Sequence, residues 1–284
     1  MARTKAISIL QATGTKADLS ELYGFVIENV QKETLSTALK SQSYTGNPAA
    51  GSVEYRRFVN STGRTYGTAR TAGKGDAITA PPTVVNLDQH YEIVEECAKF
   101  DIDTFGIANI MARRADNHID TLAADLDTAF FAAPFASGGG TAFTTESTDL
   151  STILEEFIQT LETVKNDYVR GVNRNLMRLV CAPAFYGQIR NLLDDKGNPN
   201  VDTTAEEFGI YHGVRVYSSI YIPSGKNAVL MIDGAIAQPV VVTQYSEPEK
   251  IPLSNDYGVS LFYDYGTKVL TPDLVFTYEP DVGG

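Results

Sequence analysis

The 284 residues contain no tryptophan, two cysteines, three histidines and four methionines. Two cysteines, Cys97 and Cys181, are too few for a disulfide framework. The histidines, His90, His118 and His212, are scattered and form no HxH, HExxH or histidine-with-CxxC spacing, so neither a metal centre nor a cofactor is expected. No run of 18 apolar residues occurs, which argues against a membrane-spanning helix. The N-terminal stretch has only a four-residue apolar run at positions 7–10 and lacks a signal-peptide core. A soluble protein made in the cytoplasm is therefore expected. Positive charge is also scarce, with 23 basic against 35 acidic residues and a formal net charge of -12. Such a balance excludes nucleic-acid binding over the whole surface and leaves room only for a local basic patch. What is present is globular composition, 43% hydrophobic and 20% charged, over a length that suits one large domain or two small ones.

Motifs for catalysis are missing too. Gly73-Lys74 resembles the end of a phosphate-binding loop, but Gly75 stands where a serine or threonine would hold magnesium, and Thr68 where the first glycine belongs. There is no GxGxxG after a strand, no GxSxG and no SxxK. Aspartates are abundant around one predicted helix: Asp101, Asp103, Asp116, Asp120, Asp125 and Asp127. Asp116 and Asp120 are four apart and share a face. Paired carboxylates of this kind do acid–base work in hydrolases; a solvated helix face or a partner for arginines explains them more simply. The expectation is a non-enzyme.

Along the chain, residues 1–17 read as an irregular arm, followed by a helix from Asp18 or Ser20 to about Ser41 with Leu19, Leu22, Tyr23, Val26, Ile27 and Val30 at helical steps. Residues 43–86 change character. They are rich in Gly, Ser, Thr and Ala, and their Arg56, Arg57, Arg64, Arg70 and Lys74 face only Glu54 and Asp76. Alternation at 53–59 and 64–70 around Asn60-Ser61-Thr62-Gly63 predicts a long β-hairpin with no core of its own. A loop this long inside a compact domain is anomalous and makes sense if it lies on a neighbouring subunit. Strands are expected at 83–87 and 90–96, then a long helix over roughly 103–133. A clear amphipathic helix follows, with Leu150, Ile153, Leu154, Phe157, Ile158, Leu161 and Val164 on one face and Thr148 or Asp149 as cap. Next come a buried strand at 176–182, a helix at 183–193 opened by Pro183, an exposed turn at 194–199, strands at 213–220, 227–232 and 238–243, and a closing hairpin or strand pair over 258–278. The fold class is α+β, without regular βαβ alternation.

This order of elements resembles the major capsid proteins of tailed double-stranded DNA bacteriophages, the HK97-like fold. Residues 80–103, from Ala80-Pro81-Pro82 to Asp101-Ile102-Asp103, resemble the family's join between extended loop and spine helix. Residues 111–127, Met111-Ala112-Arg113-Arg114 onward through Ile119-Asp120 to Asp127, resemble its spine helix. The resemblance implies an N-terminal arm and helix at 1–45, an extended loop at 46–86, a peripheral domain with spine helix at 87–148 and 240–284, and an axial domain at 149–239. It implies self-assembly through pentamers and hexamers into an icosahedral shell around packaged DNA, in a virion assembled in the host cytoplasm with portal and scaffolding proteins. In some members a loop lysine crosslinks to a neighbour, and Lys74 is the one lysine in the loop. A nanocompartment shell of the same fold, holding a cargo enzyme, is the alternative. The loop carries five basic residues against two acidic, and residues 92–127 three basic against nine acidic. Opposite charge on separate elements steers one copy onto the next. The candidate inter-subunit contacts are Arg56, Arg57, Arg64 and Arg70 on the loop with Asp116, Asp120, Asp125 and Asp127 on the spine.

Overall fold

A computed structural model of the chain describes residues 34–68, 75–97, 107–195, 209–243, 249–250, 252 and 257–279. Within them the helices are Leu35–Leu39 (α1), Ile107–Ala132 (α2), Leu150–Glu162 (α3) and Pro183–Asp195 (α4). The strands are Ser52–Arg56 (β1), Pro82–Asn86 (β2), Gln89–Cys97 (β3), Thr141–Phe143 (β4), Met177–Cys181 (β5), Ile210–Tyr211 (β6), Val214–Ser218 (β7), Ala228–Ile232 (β8), Ile236–Ala237 (β9), Val240–Thr243 (β10), Glu249–Lys250 (β11), Tyr257–Tyr265 (β12), Lys268–Val269 (β13) and Val275–Tyr278 (β14). The expected helix from Asp18 onward lies outside the described residues except for its final turns, as do Arg70, Lys74, Asp101, Asp103 and most of the turn at 194–199.

The larger sheet has six strands in the order β4-β14-β8-β5-β7-β6, mixing parallel and antiparallel pairs. Its two faces explain why β8 reads as an unbroken apolar run and why β5 is apolar apart from Arg178. Met177, Leu179, Cys181, Ala228 and Leu230 point to one side and pack on Leu154, Phe157, Ile158 and Leu161 of α3 and on Phe185 and Ile189 of α4. Val180, Val229 and Met231 point to the other and meet Leu39 of α1 with Phe130 and Phe131 at the end of α2. A central strand covered on both faces has no reason to alternate. α3 starts where expected: the Asp149 carboxylate accepts the Thr152 N–H at 3.0 Å, satisfying a donor that the first helical turn leaves free.

The smaller sheet is centred on β12. Its nine residues pair with β3 from Tyr257↔Cys97 to Tyr265↔Gln89 along one edge, and with β10 and β11 along the other. Of the two readings of 258–278, a closing hairpin or a strand pair, the structure excludes the hairpin. β12 and β14 belong to different sheets, joined through β13 and the 3-10 turn Pro272–Leu274. Both segments alternate, and alternation is blind to which sheet a strand joins. For the same reason the boundary at 240 is not a sheet boundary, because β14, with β4 from the first half, completes the larger sheet.

The hairpin expected from 53–59 and 64–70 is also corrected. β1 pairs with β2, in register Ser52↔Asn86 to Arg56↔Pro82, so residues 57–81 form the connection. Val53, Tyr55 and Val85 make one buried face against Ala237, a reward that the polar run 64–70 does not offer.

Candidate functional site

The functional surface is built from the root of the extended loop outward. At the root, the turn after β12 passes so close to the end of β2 that a Cβ on Gly266 would sit 1.8 Å from the Asn86 carbonyl oxygen. The Lys268 ammonium donates to the Val84 carbonyl at 3.0 Å. Burial in this root, with the Tyr44 phenol adding to it, pushes the Tyr55 hydroxyl up to about 12.

Beyond β1 the chain stays on the body for a few residues more. Arg57 donates through both guanidinium nitrogens to Asp273, at 2.7 and 2.9 Å, and its guanidinium carbon lies 4.3 Å from the Tyr168 ring centroid. The Asn166 amide donates to the same Asp273 carboxylate at 2.6 Å. Burial alone would raise the Asp273 carboxyl; the hydrogen bonds from Arg57 and Asn166 outweigh it and hold the group below its ordinary value. The Asn60 N–H donates to the Asp167 carbonyl, and Arg170 donates to the Ser61 carbonyl. Residues 61–66 and 75–79 are all exposed, and Tyr66 and Ile78 are each 87% exposed.

The other described loop arginines pair locally, Arg56 with Glu54 at 2.6 Å and Arg64 with Asp76 at 2.7 Å. Both pairs are exposed on the arginine side, where such pairs contribute little to stability. Among the described residues, no loop arginine meets an aspartate of α2 within one chain.

The aspartates of α2 divide into different roles. Asp120 is exposed; the side chain of Asp116 lies outside the described residues. Asp125 accepts the Tyr263 hydroxyl at 2.5 Å, tying the helix to β12. Asp127 is buried, 4% exposed, and accepts the Leu35 and Ser36 N–H groups at 3.2 and 3.0 Å, capping α1. Burial lowers the nearby Lys40 ammonium, and the Asp127 charge pulls it back up. Arg57, Asp125 and Asp127 thus each have a partner inside their own chain.

On the smaller sheet, Tyr91 stacks between Tyr263 and Tyr265 on the side facing α2, at 5.5 and 5.7 Å. The opposite side carries Glu92, Val94 and Glu96 beside Phe262 and Asp264. Val94 is 59% exposed and Phe262 40%. This acidic and apolar face was missed in the sequence because β3 read as one mixed strand with no assigned outer side. Elsewhere, Arg174 holds both Glu155 and Glu162 at 2.6 and 2.9 Å, with His212 at 3.0 Å from Glu155. Hydrogen bonds from Arg174 first, then His212, bring the Glu155 carboxyl down to about 2. Among the described residues no three His, Cys, Asp or Glu side chains cluster as a metal site would require. Cys181 is buried in the larger sheet, its thiol pushed up by burial, an inert core residue.

Residues 91–277, running from β3 through most of β14, match the phage capsid proteins as a family. The chain belongs to the phage capsid protein family. No curated protein matches it in sequence. Solved structures place this capsid subunit in the HK97-like fold. A chain from Mycobacterium phage Che8 superposes with a TM-score of 0.55 at 18% identity, over 84% of this chain and 93% of that one. The capsid of the cyanophage P-SCSP1u gives 0.61 at 13% identity, over 98% and 90%. A virus-like particle from Pyrococcus furiosus gives 0.58 at 13%, over 92% and 98%. The capsid chain is a structural subunit, and its α2, Ile107–Ala132, spans residues 111–127.

Proposed function

We propose that this capsid protein closes into an icosahedral shell of pentamers and hexamers around double-stranded DNA, with residues 46–86 as an arm laid on a neighbouring copy. The observation that carries the reading is the outer arm, where Tyr66 and Ile78 are each 87% exposed. Apolar side chains exposed at the end of a long extension gain burial only from a partner. A contact between two different surfaces, repeated from copy to copy, closes into rings and shells.

In this reading the smaller sheet and α2 form the peripheral part, 87–148 and 240–284, and the layers around 149–239 form the axial part, with β4 and β14 crossing between them. Arg56, Arg64 and Arg70 of the arm face Asp116 and Asp120 of the next subunit, and the acidic outer side of β3 extends that surface. An acidic subunit holds DNA without sequence preference and without sticking to it. Portal and scaffolding proteins complete the assembly in the host cytoplasm, and the subunit performs no catalysis.

The test is electron microscopy and light scattering across a concentration series, alone and with a co-expressed scaffold. Closed particles or rings of five or six copies are expected. Monomer or dimer under every condition would overturn the reading, and shells carrying a protein cargo without nucleic acid would favour the nanocompartment.

A further inference from the structure

The connection 57–81 does not leave the subunit where its strand ends. Arg57 is enclosed by the Asp273 carboxylate on both of its terminal nitrogens and by the Tyr168 ring at 4.3 Å, while Asn166 holds the far side of the same carboxylate. These partners come from two separate places in the chain, the turn after α3 and the 3-10 turn before β14. Within the connection, the Val59 N–H donates to the Thr79 carbonyl at 3.0 Å, and two further bonds reach the body: the Asn60 N–H donates to the Asp167 carbonyl at 2.8 Å, and the Ser61 carbonyl accepts from Arg170 at 2.9 Å. Arg57 and Val59 are half-buried, whereas every residue from 60 to 66 is exposed. Ser61 is the outermost of the three residues, Val59, Asn60 and Ser61, that make these bonds.

We propose that Arg57, Asp273, Asn166 and Tyr168 form a latch that sets the direction in which the arm leaves the subunit, so that the part reaching a second copy of this chain starts at residue 61. The inference rests on the shell reading for its consequence but not for its geometry. A polar, glycine-containing connection anchored only at Arg56 and Pro82 samples many directions. Anchoring it a few residues further out, against rigid turns, removes that freedom before the neighbour arrives, so the ordering is complete before binding. A shell of uniform size needs the same angle at every repeated contact, and a fixed departure supplies it. The latch residues are positioning residues; the contacting residues lie further along the arm.

The test compares wild type, Arg57→Ala, and the exchanged pair Arg57→Asp with Asp273→Arg. Two measurements are made: hydrogen exchange on the unassembled full-length subunit, and the particle-size distribution by electron microscopy after assembly with scaffold. In Arg57→Ala, protection of the Val59 and Asn60 amides is expected to fall at least tenfold, while the amides of β5 and β8 keep theirs. Particles then become mixed in size or fail to close. The exchanged pair restores both protection and uniform particles, a rescue that lost folding would not show. Unchanged protection at 59 and 60 in Arg57→Ala overturns the latch. So does lost protection accompanied by particles as uniform as wild type. If wild type itself forms no shell, the shell reading fails, and the exchange comparison alone decides whether the latch exists.

Discussion

Asp127 and Asp120 lie seven residues apart and so on nearly the same side of α2, yet one is buried and the other exposed. The difference is the neighbour: α1 covers that side only near the helix end, and its free N–H groups take the Asp127 carboxylate. Asp127→Asn presents one acceptor and an NH2 group where two acceptors are needed. It is expected to cost about 1–3 kcal/mol, the range for leaving a buried donor without its charged partner, read by urea denaturation. Glu155 sets a pH dependence with a defined sign. Its carboxyl titrates near 2 in the folded chain, against an ordinary 4.5. A depressed carboxyl contributes stability that is present above about 4.5 and lost as pH falls toward about 2. Glu155→Gln is therefore expected to melt lower than wild type at neutral pH, with the gap closing over that window. A gap that persists unchanged at pH 2 would contradict the assignment to Arg174 and His212.

At the scale of elements, the decisive junction is the root of the arm. The turn between β12 and β13 approaches β2 with no room for a side chain at Gly266, because a Cβ would overlap the Asn86 backbone. Backbone cannot rotate aside as a side-chain tip does, so Gly266→Ala must shift the root itself. The expected cost is about 1–3 kcal/mol, the range for overpacking a well-filled site, measured by chemical denaturation. The pairing of β1 with β2 follows the same logic: Val53, Tyr55 and Val85 share a buried face, and register goes where burial is gained. α3 needed no tertiary help to be recognised, since its apolar side and Asp149 cap are local in sequence.

For the whole molecule, two sheets are joined by one long helix that changes partners along its length. α2 meets the smaller sheet through Asp125 and Tyr263 and the larger one through Phe130 and Phe131. Tyr66 and Ile78 of the arm are each 87% exposed, and in the proposed shell a neighbouring copy covers them. In the concentration series, assembly is accordingly expected to rise steeply with subunit concentration and to weaken with salt, as contacts guided by exposed charge do. Assembly indifferent to salt would remove the arginines of the arm from the contact.

The sequence by itself determined the helices with local apolar faces, the doubly covered strands of the larger sheet, the basic arm and the acidic spine, because each is written in residues a few positions apart. It also carried the resemblance to phage capsid proteins that the family match bears out. Only the tertiary structure decided which strand paired with which, since alternation records a face and not a partner. The same holds for the aspartates: spacing showed which of them share a side of α2, but not that α1 and β12 claim two of them. The latch was invisible for the same reason. Arg57 and Asp273 are 216 residues apart, and no local pattern couples them until the fold brings the two turns together.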